Sequence, residues 1–185
     1  PPPRAALLPH IWLSDEEIRQ GQRLLEQLPD KAGTPPIALH PYATHPDKAW
    51  KEAYWRQLME LFESRGIPWI VIGRGNGMEG IPASRDFTNR TSLRETCALL
   101  KSSSLLITGD SGPMHLAGAV GTPVLALFGP TTEEWGFFPA GPKDRVLESQ
   151  LDCRPCTLHG KKHCDRNHAC MQSITPEQVM RALDE

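Results

Sequence analysis

Short, unbroken apolar runs alternate with helix-like segments from residue 37 onward, and this alternation constrains the fold more than any other feature of the chain. The runs are Ile37-Ala38-Leu39-His40, Ile67 to Ile72, Leu105-Leu106-Ile107-Thr108 and Pro123 to Phe128, with a last strand expected at Arg145 to Glu148. Runs of this kind lack the in-out alternation of a strand with one wet face, so both of their faces must be covered. The intervening segments read as helices. Trp50, Tyr54, Trp55, Leu58, Leu61 and Phe62 recur at helical spacing up to a stop at Gly66. Ser92 and Glu95 form a capping box ahead of Leu93, Cys97, Leu99 and Leu100, and Gly112 to Val120 ends at Gly121. Repeated strand-helix alternation predicts an α/β fold: a Rossmann-like parallel sheet with helices on both faces and ligands at the carboxyl ends of the strands.

The flanks are less regular. Residues 1 to 13 are Pro-rich and then apolar at Ile11-Trp12-Leu13, which reads as a linker entering a short edge strand. Ser14 with Asp15-Glu16-Glu17 caps a helix expected over 15 to 28. A short strand is expected near Asp86-Phe87, a Cys-rich loop over 151 to 173, and a terminal helix opened by Thr175-Pro176-Glu177. With 185 residues the chain has room for one domain and its core. Its 20 Lys and Arg nearly cancel 22 Asp and Glu, leaving a net charge of -2, so no nucleic-acid-binding surface is expected and any anionic ligand must be held locally. Apolar stretches such as Val124 to Phe128 are too short to cross a bilayer.

The segment with the most chemistry is Thr108-Gly109-Asp110-Ser111-Gly112-Pro113-Met114-His115-Leu116-Ala117-Gly118-Ala119, at a strand-to-helix turn. Small residues there let a ligand approach the backbone, and amides of Ser111, Gly112 and Met114 at a helix N-terminus suit a phosphate. Pro113 fits the first helical turn, where a missing donor matters least. A plainer alternative has Asp110 or Ser111 merely capping the helix. Likewise His115 is either a neutral hydrogen-bonding group in the crevice or an ordinary surface histidine.

The run Gly109 to Ala117, followed by Gly121-Thr122-Pro123-Val124-Leu125-Ala126-Leu127-Phe128-Gly129-Pro130-Thr131, closely resembles the signature of family 9 glycosyltransferases, the lipopolysaccharide heptosyltransferases. His40-Pro41, Asp47-Lys48-Ala49-Trp50 opening a helix, Ile70-Val71-Ile72-Gly73, Cys153-Arg154-Pro155-Cys156 and Ile174-Thr175-Pro176-Glu177 agree in order, so the resemblance spans about 37 to 180. It implies the C-terminal, donor-binding half of a GT-B enzyme, with residues 1–36 as interdomain linker and leading helix and residues 37–185 as the nucleotide-sugar domain. The acceptor domain, with the general base, is expected to precede this chain, which by itself would bind donor without turnover. The implied reaction is inverting transfer of heptose from ADP-heptose to the lipopolysaccharide inner core, at the cytoplasmic face of the bacterial inner membrane, without a cofactor or metal. The implied partners are the nucleotide sugar, the core acceptor held through the missing domain, and the membrane surface as a peripheral contact of the whole protein.

Carried over by resemblance, Lys48 neutralises the diphosphate, Asp110 meets sugar hydroxyls and His115 lies beside the diphosphate. Ser111 and Gly112 form the phosphate-facing turn with Met114, and Gly73, Pro130 and Thr131 complete the donor side. On the residues alone, Lys48 reads rather as a solvated charge beside Asp47, and the Pro130-Thr131 loop has the alternative of a plain turn. Two other functions remain open: a non-catalytic nucleotide or nucleotide-sugar module centred on the Gly73 to Gly77 turn, and a zinc-stabilised interaction module. For the latter, Cys153, Cys156, Cys164 and Cys170, with His159, His163 and His168 interspersed, offer ligands at spacing unlike a standard finger. Reduced buried thiols or disulfides are the alternatives for the same cysteines.

Overall fold

A computed structural model describes residues 8–29, 33–157 and 164–184. Among them, five parallel strands form one sheet in the order β2-β1-β3-β4-β5: β1 (Ile37–His40), β2 (Trp69–Val71), β3 (Leu105–Gly109), β4 (Val124–Phe128) and β5 (Arg145–Glu148). Side chains alternate across each strand, so each run feeds two cores at once. Ile37, Leu39, Val71, Ile107, Leu125 and Leu127 meet α2 (Glu52–Arg65), α5 (Ala169–Gln172) and α6 (Pro176–Asp184). Ala38, Ile70, Ile72, Leu106, Val124, Ala126 and Phe128 face the opposite way, toward α1 (Asp15–Leu25), α3 (Leu93–Lys101) and α4 (Gly112–Val120). The expected α/β fold with both faces of the sheet covered is therefore present.

Local signals set most boundaries. Ser14 and Ser92 each close a capping box with the glutamate three residues on, and Gly66 and Gly121 take the left-handed conformation that ends α2 and α4. Several expectations need correction. Ile11-Trp12-Leu13 form no strand; the Ile11 amide donates to the Ala119 carbonyl at 2.8 Å, and Ile11 and Leu13 pack on the α3 and α4 side of the core. Helix α1 ends at Leu25, short of 28. Asp47 to Trp50 do not open a helix: Pro46–Lys48 make a 3-10 turn, Lys51 caps α2, and Trp50 is held outside it by its indole N–H donating to the Ile174 carbonyl at 2.8 Å. Asp86 makes only an isolated bridge to Val71, and the Cys-rich loop contains the short helix α5. No helix among the described residues is long and apolar enough to cross a membrane.

Candidate functional site

The chain runs from β1 outward to β2, then returns across β1 to β3, so the strand order reverses between β1 and β3. In open parallel sheets the crevice beyond the carboxyl ends at such a reversal is where ligands bind. The β1–β3 register puts His40 opposite Thr108, with β1 ending at His40 and β3 one residue later at Gly109. From β1 the chain passes through the Pro46–Lys48 turn, whose Lys48 carbonyl lies 3.5 Å from where a Cβ on Gly109 would be. A Cβ at 109 would make only ordinary van der Waals contact there, so this approach does not by itself require a glycine.

Two residues 62 positions apart meet at this crossing: Lys48 Nζ lies 2.6 Å from Asp110 Oδ2, with side chains 13% and 14% exposed. Lys48 is therefore not a solvated charge beside Asp47. Asp47 instead accepts from or pairs with His168 Nε2 at 2.7 Å, which ties the segment before α5 to the lysine turn. Neither Asp110 nor Ser111 caps α4. Ser111 is the N-cap residue by position, yet its side chain makes no capping bond. Its hydroxyl is 2.9 Å from Thr108 Oγ1 and 3.3 Å from His40 Nδ1, and His40 Nδ1 is 3.0 Å from Thr108 Oγ1. With the serine turned inward, the start of α4 keeps its positive end uncompensated by a side chain.

Burial pushes the His40 imidazole down to about 4. An unfolded histidine takes up a proton near pH 6.5, so stability is present above that value and is lost as pH falls from about 6.5 toward 4. The loss reaches ~1.4 kcal/mol per pH unit within that window, because only the unfolded chain is gaining the proton. Thermal melting of His40→Asn should accordingly fall less steeply than wild type between pH 6.5 and 4. Parallel curves would mean that His40 is not buried as a neutral ring.

The remaining expected residues separate. Gly73 stands at the same edge with φ +123, and a Cβ there would lie 2.6 Å from the His40 ring and 2.8 Å from Tyr42. Gly75 also runs against the Tyr42 ring. Ring packing thus accounts for Gly73 and Gly75, whereas a Cβ on Gly77 would meet nothing within 4 Å and that glycine instead takes the left-handed conformation at φ +79. Pro130 and Thr131 follow β4 and are buried. Met114 departs from expectation: its side chain is 1% exposed in the core and its amide donates to the Ser111 carbonyl at 3.2 Å. His115 is exposed one turn into α4. Sequence reasoning missed Thr108, His168 and Arg154 as partners at this edge, because each acts through a contact distant in the chain.

The five cysteines, all among the described residues, form no disulfide with one another, and burial raises the pKa of Cys97 and Cys170. Among the described residues no group of three His, Cys, Asp or Glu side chains is arranged to hold a metal, while His159 and His163 lie outside the described residues. A cavity of about 750 Å³ between α1 and the segment after α3 lies at the amino-terminal edge of the sheet, away from the Lys48–Asp110 pair.

A profile of glycosyltransferase family 9 (heptosyltransferase) matches residues 9–165. The chain belongs to glycosyltransferase family 9. It is 35% identical over 148 residues to lipopolysaccharide heptosyltransferase 1 of Pseudomonas aeruginosa, covering 75% of this chain and 40% of that family 9 relative. It is 32% identical over 150 residues to lipooligosaccharide heptosyltransferase 2 of Campylobacter jejuni, covering 72% of this chain and 44% of the relative. The chain thus spans less than half the length of these relatives. The solved structure of E. coli ADP-heptose lps heptosyltransferase II matches all of this family 9 chain and 54% of its own length, with a TM-score of 0.75 and 23% identity, which shows a common fold.

Proposed function

We propose that this chain is the nucleotide-sugar-binding part of an inverting glycosyltransferase that moves heptose from ADP-heptose to the lipopolysaccharide inner core. The observation that carries the reading is the Lys48–Asp110 pair at the strand-order reversal, beside a helix start with no side-chain cap. An ammonium has three donors, so one can stay on Asp110 Oδ2 while two reach phosphoryl oxygens. The other carboxylate oxygen is then available to a sugar hydroxyl. As the anomeric bond breaks through an oxocarbenium-like state, negative charge grows on the diphosphate, and Lys48 with the Ser111-Gly112 end of α4 stabilises it. His115, exposed one turn further on, acts as a hydrogen-bonding group for the same diphosphate. These groups supply the required charge without a metal.

In this reading residues 1–36 connect and lead into a donor domain over 37–185, and a preceding acceptor domain supplies the general base, so the chain binds donor without transferring it. The names of the relatives, heptosyltransferases of lipopolysaccharide and lipooligosaccharide, and the ADP-heptose named for the E. coli enzyme support this choice of sugar, nucleotide and acceptor class. Peripheral contact with the cytoplasmic face of the inner membrane belongs to the whole protein. Calorimetric titration with ADP, UDP and their sugar conjugates tests the proposal: ADP and ADP-heptose should bind, with UDP compounds weaker. Tight UDP-sugar binding without an ADP response overturns the donor assignment.

A further inference from the structure

Four consecutive main-chain carbonyls, from the last residue of β4 onward, are all answered by one short segment of the Cys-rich tail. The Arg154 guanidinium donates to the carbonyls of Phe128 at 3.3 Å, of Thr131 at 2.8 Å and of Gly129, while the Cys156 amide donates to the Pro130 carbonyl at 3.1 Å. Arg154 also donates to the Ser149 carbonyl and pairs with Glu148 Oε2 at 2.7 Å, and its side chain is only 5% exposed. A buried guanidinium needs such partners for its five N–H groups, and here they come mainly from backbone. The peptide unit is planar, so turning the Pro130 and Thr131 carbonyls toward this segment turns the N–H groups of Thr131 and Thr132 the opposite way. On the same loop the hydroxyls of Thr131 and Thr132 are buried and have no hydrogen-bond partner among the described residues, and Thr131 is 3% exposed. Buried polar groups left unanswered call for an explanation, a bound water, ion or ligand among them.

We infer that Arg154 is a positioning residue of the donor site: it fixes the Gly129 to Thr132 loop so that Thr131 and Thr132 meet the nucleotide sugar with unspent hydroxyls and amides. The inference rests on the donor-site reading above. It assigns the Cys153-Arg154-Pro155-Cys156 segment a task performed by its arginine. Arg154 touches no donor itself; lysine in its place keeps the charge but cannot span several carbonyls with one planar fork.

The test is a calorimetric double-mutant cycle with ADP on wild type, Arg154→Lys, Thr131→Val and the double variant, with thermal melting of each. Arg154→Lys should weaken ADP binding at least tenfold, Thr131→Val severalfold, and the double variant no more than Arg154→Lys alone, since both act through one loop. Added methylguanidinium should restore ADP affinity in Arg154→Ala. If Arg154→Lys fails to fold, that rescue and the Thr131→Val titration still decide. Wild-type ADP binding with unchanged affinity in Arg154→Lys, or strictly additive losses, overturns the role of Arg154 alone. Absence of ADP and ADP-heptose binding in wild type overturns the donor-site reading, and the positioning role with it.

Discussion

Lys48→Ala should lower ADP affinity by about 10- to 100-fold, the range expected when a charge-assisted hydrogen bond to a phosphoryl group is lost. The loss has two parts. The ammonium disappears, and the Asp110 carboxylate that it held at 2.6 Å then faces the incoming diphosphate unopposed. Asp110→Asn separates them: ADP binding should stay within a few-fold of wild type or tighten, whereas ADP-heptose binding should fall, because the sugar loses a carboxylate acceptor. The Lys48→Ala, Asp110→Asn pair should recover part of the ADP affinity lost by Lys48→Ala. Isothermal titration with both ligands reads all three. Equal ADP affinity in Lys48→Ala and wild type would remove the lysine from the site.

The largest expected stability effect lies on the opposite flank. Alanine for glycine inside a helix ordinarily stabilises by up to ~1 kcal/mol. At Gly21 in α1 the sign reverses, because a Cβ would lie 2.7 Å from the backbone carbon and oxygen of Ala98 in α3. Backbone cannot rotate out of the way as a side chain can, so α1 must lift from α3, and overpacking of this kind costs about 1–3 kcal/mol. That movement would also stretch the Arg94–Glu17 pair at 2.6 Å and the Gln20–Glu95 bond at 3.0 Å. Gly21→Ala should therefore reduce stability by roughly 1–2 kcal/mol net, seen as a lower urea midpoint with unchanged slope. A raised midpoint would show that α1 is loosely attached to the sheet's helical layer.

How much of this was legible depended on the range of the signal. The capping boxes at Ser14 and Ser92, and the stops at Gly66 and Gly121, are local chemistry and lie where the residues place them. The runs 37 to 40 and 145 to 148 became strands at the expected residues. Trp50 shows where periodicity misleads: it keeps helical spacing with Tyr54, yet its indole is drawn to the Ile174 carbonyl, 124 positions away. The proximity of Lys48 and Asp110 was expected only through family resemblance, since spacing carries no information about a partner 62 positions on. Arg154 was read as one residue of a cysteine motif. Its grip on the loop after β4 depends on how the tail crosses the end of the sheet, which no local pattern encodes.

The resting lysine already carries a tethered counter-ion. Dissolved sulfate or chloride must compete with a carboxylate anchored within bonding reach, whose effective concentration far exceeds that of ordinary salts. In the donor-site reading proposed above, only a guest that brings further attachments of its own displaces that incumbent, so the mouth of the sheet would discriminate against simple electrolytes before any base or sugar is recognised.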